Sequence, residues 1–174
     1  IKLITKSKYS VAVVNATIGI FVSLKVLNIK EEDEVLVPSL TFIGSVNPIA
    51  YCNATPHFID LNDNFMDIDY ERLDNYLSSI VKFKNGKTIN KNTNKVIKAI
   101  IPVHLFGHPS NMRRCLSLAK KYKLKIVEDC AEAFGSKFKN KHVGNFGSIG
   151  VISFNGNKII TTGGGGVIIT NSKK

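Results

Sequence analysis

Two residues in the second half of the chain have complementary chemistry. Asp129 closes the apolar run 124-LKIVED-129, and Lys158 follows the apolar run 149-IGVISFN-155. A carboxylate can keep a pyridine nitrogen protonated, and a lysine amine can form a Schiff base with an aldehyde. Pyridoxal phosphate (PLP) needs both groups. It also needs a phosphate cradle. Asn15-Ala16-Thr17 opens a helix-like segment, whose first N–H groups and dipole can hold an anion. Ser153 stands just before Lys158, and Thr161, Thr162 and Gly163 to Gly166 follow it. Glycines allow another group to approach the backbone closely. Each residue also has a plainer use. Thr17 could be an ordinary N-cap, Glu128-Asp129 could cap a following helix, and Lys158 could be a solvated hairpin lysine. Spacing alone does not place them in one pocket.

The elements that must position these residues alternate along the chain. Strand-length apolar runs lie at 11–15, 34–39, 55–60, 96–105, 124–129, 149–155 and 166–170. Helix-length segments lie at 17–28, about 44–52, 69–77 and 110–123. Continuously apolar strands imply burial on both faces. Together with the strand–helix order they predict an α/β fold, a mostly parallel mixed sheet flanked by helices. In such a sheet ligands bind beyond the carboxyl ends of the strands. The segment 81–95 is rich in Lys and Asn and reads as a solvated surface loop. No repeat or change of composition divides the chain, so 1–174 reads as a single domain.

Composition excludes several classes. With 44% apolar and 21% charged residues, the 174-residue chain can bury a real core and is not a disordered tail. No apolar run approaches the ~20 residues of a membrane span, and the first ten residues have no signal-peptide pattern. The net charge is +11, but only Arg72, Arg113 and Arg114 are arginines and the lysines are scattered. Nucleic-acid recognition favours clustered charge and the arginine fork, so an anionic small molecule is the easier partner. Cys52, Cys115 and Cys130 have no metal-type spacing and read as free thiols in a reducing cytoplasm. No G-x-G-x-x-G follows the first strand, which disfavours a dinucleotide site. Ile1 and the ending NSKK read as cuts through a longer protein.

Four stretches carry a resemblance: 33-DEVLVPSLTFIGSVNPIAYCNATPHFID-60, 101-IPVHLFGHPSNM-112, 128-EDCAEAFGS-136 and 153-SFNGNKIITTGGGGVIIT-170. In order and almost end to end, they resemble the nucleotide-sugar aminotransferases of the DegT/DnrJ/EryC1/StrS type, PLP enzymes of fold type I. Within that family the chain looks most similar to enzymes making UDP-linked 4-amino-4,6-dideoxy-N-acetylhexosamines of the bacillosamine and legionaminic acid type. The resemblance implies that the chain is a partial large, cofactor-binding domain, truncated before a smaller C-terminal domain. It makes Lys158 the Schiff-base lysine and Asp129 the acid under the pyridine nitrogen. Phe42 becomes the aromatic packed on the ring, and Ala16, Thr17 and Ser153 the phosphate contacts. His104 lies in a motif near the site. Glu132 stands where many relatives have Gln beside the phenolic oxygen. Ala16 replaces a usual Gly, which would strain a position requiring positive φ.

The implied reaction takes an amino group, from glutamate by resemblance, and passes it to a 4-keto-6-deoxy nucleotide sugar for cell-surface glycan synthesis. A homodimer in the cytoplasm is implied as well, with neither nucleic acid nor membrane as partner. One branch of the family replaces the lysine by histidine and dehydrates sugars; Lys158 argues against it. Amination at C3, an inactive remnant and a basic binding module are the competing readings.

Overall fold

The computed structural model describes residues 1–173. The chain runs α1 (Lys2–Thr5), β1 (Tyr9–Val13), α2 (Ala16–Val26), β2 (Asp33–Pro38), α3 (Ile43–Tyr51), β3 (Thr55–Ile59) and α4 (Tyr70–Ile80). It continues through β4 (Val81–Lys84), β5 (Lys87–Asn90), β6 (Val96–Ile100), α5 (Met112–Lys121), β7 (Lys125–Asp129), β8 (Lys137–Phe138), β9 (Lys141–His142), β10 (Ile149–Ser153) and β11 (Gly166–Thr170). A nine-stranded sheet has the order β1-β11-β10-β7-β6-β2-β3, with the hairpin β4–β5 attached through β6. The neighbours β10/β7, β7/β6, β6/β2 and β2/β3 are parallel. The pairs β1/β11, β10/β11, β4/β5 and β5/β6 are antiparallel. The expected mixed, mostly parallel sheet flanked by helices is present.

Both faces of the central strands are covered, and side-chain alternation assigns each residue to a face. Val35 and Val37 pack under α2 and α3 with Ile20, Leu24, Ile49, Val127 and Val151. Leu36 points the other way, joining Leu73 and Leu77 of α4, Met112 of α5 and Tyr122 just after it. A third cluster, with Cys130, Val143, Ile152 and Ile169, lies beyond β10. On β7 the same alternation puts Asp129 on the α2/α3 face with Val127, and Glu128 on the opposite face.

Several expectations need correction. The first strand is an antiparallel edge strand with Val11 exposed, not one buried on both faces. The run 96–105 does not stay a strand. It ends at Ile100 because Pro102 has no N–H to donate, leaving one bridge from Val103 to Asp129. The segment 81–95 is not a loop throughout: residues 81–90 form a β-hairpin, and only 91–95 are turn and irregular backbone. The hairpin tip is Asn85-Gly86, both with positive φ, the pairing a tight hairpin turn requires. The three cysteines are free and buried, as expected.

Candidate active site

One cavity of about 500 Å³ opens at the carboxyl edge of the sheet. Directionality explains why so many elements meet there. β2, β6, β7 and β10 end on this edge because they run parallel. β1 ends there too, since two antiparallel steps through β11 restore its direction. Hence α2 starts at the cavity after β1, α3 after β2, and the segments around His104, Asp129 and Ser153 follow β6, β7 and β10. The cavity brings together Ala16, Thr17, Phe42, His104, Asp129, Glu132, Ser153 and Lys158, which is every site residue expected from the sequence.

At the α2 end the cap differs from expectation. Asn15 is the N-cap, with φ −166°, and its side chain accepts the Ile18 N–H at 2.8 Å. Thr17 sits inside the first turn, so its hydroxyl is not spent on capping. The first N–H groups, those of Ala16 and Thr17, have no acceptor within the helix. Ala16 has ordinary helical geometry, so it carries no positive-φ strain. A Cβ at Gly166 would lie 2.9 Å from the Ala16 nitrogen, and one at Gly44 would lie 2.8 Å from the Thr17 hydroxyl and 3.0 Å from the Phe42 ring. Two glycines thus let β11 and α3 close around this helix start. Phe42, the residue before α3, is exposed at the lip.

Asp129 lies buried at the floor. Its Oδ2 accepts the Ser45 hydroxyl at 2.6 Å and its Oδ1 accepts the Ala131 N–H at 2.9 Å. Burial pushes the carboxyl above the usual range. The Ser45 bond, the Ala131 N–H and the fields of His104 and Lys158 oppose that rise. Lys158 Nζ is 3.5 Å from Glu132 Oε1, while Glu132 Oε2 accepts the Phe106 N–H at 2.8 Å. Glu132 therefore links the lysine to the turn after β6, where Phe106 and Gly107 both have positive φ. These two partners hold the Glu132 carboxylate.

His104 lines the cavity, and Glu128 sits behind it. His104 Nδ1 accepts the Ser110 N–H, so Nε2 carries the proton and faces Glu128 at 3.2 Å. Glu128 also accepts the N–H groups of Gly144, Phe146 and Gly147. Among the described residues no helix follows β7, so Glu128 and Asp129 do not cap one; Glu128 closes the 144–147 turn instead. His104, Glu128 and Cys130 offer ligand atoms within 4.8 Å of one another, but the hydrogen bonds above already use the first two. The sequence reading missed Thr41 and Ser45, and it gave Thr17 the capping role that Asn15 holds. Thr41 and Ser45 carried no signal, because a hydroxyl in or beside a helix is commonplace. Asn15 did carry one, being a preferred N-cap residue directly before the helix.

Comparisons with known proteins agree with this geometry. The profile of the DegT/DnrJ/EryC1/StrS aminotransferase family matches residues 2–174. GDP-perosamine synthase of Escherichia coli O157:H7 is 45% identical over 166 residues, covering 95% of this chain and 41% of that protein. The aminotransferase from Psychrobacter cryohalolentis superposes with a TM-score of 0.84 at 35% identity, over 99% of this chain and 40% of that one. The PLP form of a Streptococcus pneumoniae protein superposes with a TM-score of 0.84 at 26% identity, over 99% of this chain and 44% of that one. The chain thus spans about two fifths of the length of the proteins it resembles. A profile match over nearly every residue, on a sheet whose carboxyl edge gathers the family's expected residues, makes this chain a member of the DegT/DnrJ/EryC1/StrS aminotransferase family.

Proposed function

We propose that this chain is the cofactor-holding part of a PLP-dependent aminotransferase that passes an amino group, with glutamate as donor, to a 4-keto-6-deoxy nucleotide sugar for glycan synthesis. The observation that carries the reading is the convergence of Asp129, Lys158 and the α2 start on one cavity. The residues fit a flat phosphorylated pyridine. The two close approaches at Gly44 and Gly166 leave the Ala16 and Thr17 N–H groups and the Thr17 hydroxyl as an anion cradle. Ser153, on the same face of β10 as Val151, adds a hydroxyl. The volume lies within the 300–1,000 Å³ typical of cofactor sites.

Bound PLP supplies an aldehyde that captures amines and a cationic ring that withdraws electrons from the carbon bearing the nitrogen. Asp129 would stabilise positive charge at the ring end of the cavity and Phe42 would pack against the cofactor; Lys158 would be the amine that holds it and the group that moves a proton at the reacting carbon. Glu132 keeps Lys158 and the Phe106 turn in place from one carboxylate.

The nucleotide is the open choice. The sequence resemblance favours a UDP-linked hexosamine, whereas the E. coli relative is a synthase of a GDP-linked sugar. A homodimer is proposed for the protein of which this chain is a part, in keeping with the exposed apolar side chains Leu40, Phe42 and Phe106 at the cavity mouth.

Titration with PLP tests the reading. The chain is expected to develop the visible absorbance of a lysine-bound pyridoxal, and Lys158→Ala is expected to lose it together with turnover. Assays with UDP- and GDP-linked 4-keto and 3-keto sugars then assign nucleotide and carbon. A Lys158→Ala protein that transaminates at the normal rate overturns the proposal.

A further inference from the structure

We infer that Ser45, held by Thr41, is the positioning residue of Asp129: a two-hydroxyl relay fixes the plane of this buried carboxylate and holds it ionised toward the cavity. The catalytic meaning rests on the proposed function, since it is there that Asp129 faces a cationic ring.

The direction of the relay follows from what each group can donate. An ionised carboxylate only accepts, so the Ser45 hydroxyl proton points at Asp129 Oδ2. The 2.6 Å separation is that of a charge-assisted O–H···O⁻ bond. Ser45 has then spent its one proton. Its 2.8 Å contact with Thr41 Oγ1 requires Thr41 to donate. Thr41 lies in the cavity wall, Ser45 is buried in the first turn of α3, and Asp129 ends β7. Oδ1 is held independently by the Ala131 N–H. One donor on each oxygen pins the carboxylate plane at two points and leaves lone pairs for a third partner. Because α3 begins just after Phe42, the same relay ties the aromatic lip to the acid beneath it.

The ionised state needs this support. Asp129 is buried, and burial opposes its charge. Around it stand His104 after β6, Lys158 after β10, Glu132 across the cavity, and Glu128 and Cys130 beside it in the chain. All of these stay in place when Ser45 or Thr41 is changed, so a shift in either variant reports the relay.

The test uses the chain without added ligand, labelled with ¹³C at the aspartate carboxyls; the resonance missing in Asp129→Asn is that of Asp129. In Ser45→Ala the ionisation constant of this carboxyl is expected to fall about tenfold, the loss of one hydrogen bond to a charged group. In Thr41→Val a smaller fall, about threefold, is expected. An unmoved midpoint in Ser45→Ala overturns the proposal, and an unmoved midpoint in Thr41→Val removes Thr41 from the relay. Should Ser45→Ala lack the far-UV circular dichroism of the parent, Thr41→Val decides alone and an unmoved midpoint overturns the proposal. In PLP-loaded protein the pH dependence of the visible band is expected to shift in the same direction. A parent chain that never takes up PLP while the carboxyl titrations behave as expected would remove the functional reading and leave the relay standing.

Discussion

Asp129 keeps a charge where the surroundings oppose it. A carboxyl whose folded pKa lies above its unfolded value binds protons more readily in the native state. It therefore costs stability at pH above both values, a cost that disappears as pH falls below the unfolded one. Asp129→Asn removes this ionisation, so its melting temperature is expected to vary less with pH than the parent's across the acid range. The same variant should slow turnover by roughly 10²–10⁴-fold, because a preorganised charge is lost. Calorimetry beside a transamination assay checks both. Gly44 sets a second limit at this scale. A methyl there would press on the Thr17 hydroxyl at 2.8 Å and the Phe42 ring at 3.0 Å. Gly44→Ala is expected to weaken PLP binding by about tenfold, the loss of about 1.4 kcal/mol of contact, measurable by absorbance titration.

Among the elements, β2 and the β4–β5 hairpin are joined through one buried acid. Glu34, inward on β2, meets His57 of β3 at 2.8 Å and Asn90 of β5 at 3.0 Å, and also accepts from Thr93. Burial pushes this carboxyl up, but the bonds from His57, Asn90 and Thr93 outweigh it, so it falls from 4.5 to about 2. A depressed folded pKa gives stability that is complete above the unfolded pKa and lost as pH falls through the folded one. Between pH 4.5 and about 2 the fold is expected to lose on the order of 2 kcal/mol through this group. Glu34→Gln should be less stable at neutral pH and show a flatter acid limb in urea denaturation. The hairpin also shows how an element can be hidden by its composition. Its lysines and asparagines look solvated, yet 84-KNGK-87 contains the Asn-Gly turn, and Thr88 and Asn90 are buried polar anchors.

At the scale of the whole molecule, one continuous sheet separates two apolar cores. Tyr70, Cys115 and Tyr122 belong to the core on the α4/α5 face, and Ile20, Cys52 and Val127 to that on the α2/α3 face. Leu36 and Val37 are adjacent on one strand but serve opposite cores, so neither core can dissolve without breaking β2. A single cooperative transition is expected. In urea, Tyr fluorescence and thiol labelling of Cys52 in a Cys115→Ala, Cys130→Ala background should give coincident midpoints; separated midpoints would show that the two faces unfold independently.

The local pattern of residues was enough for the strand–helix alternation, the parallel sheet and the pairing of Asp129 with Lys158 as chemistry. Apolar periodicity and charge type are properties of short segments, and short segments are what a sequence displays. The resemblance of the four motif stretches then named the site residues. Tertiary structure alone decided the rest. It took β1 to the edge and, by two antiparallel pairings through β11, aligned it with β10, which is why the cradle and the acid share a cavity. It put Glu132 between Lys158 and the Phe106 backbone, and set Ser45 on Asp129 across 84 positions of sequence. Those contacts depend on which strand ends meet at one edge, and hydrogen-bond partners that far apart leave no trace in spacing.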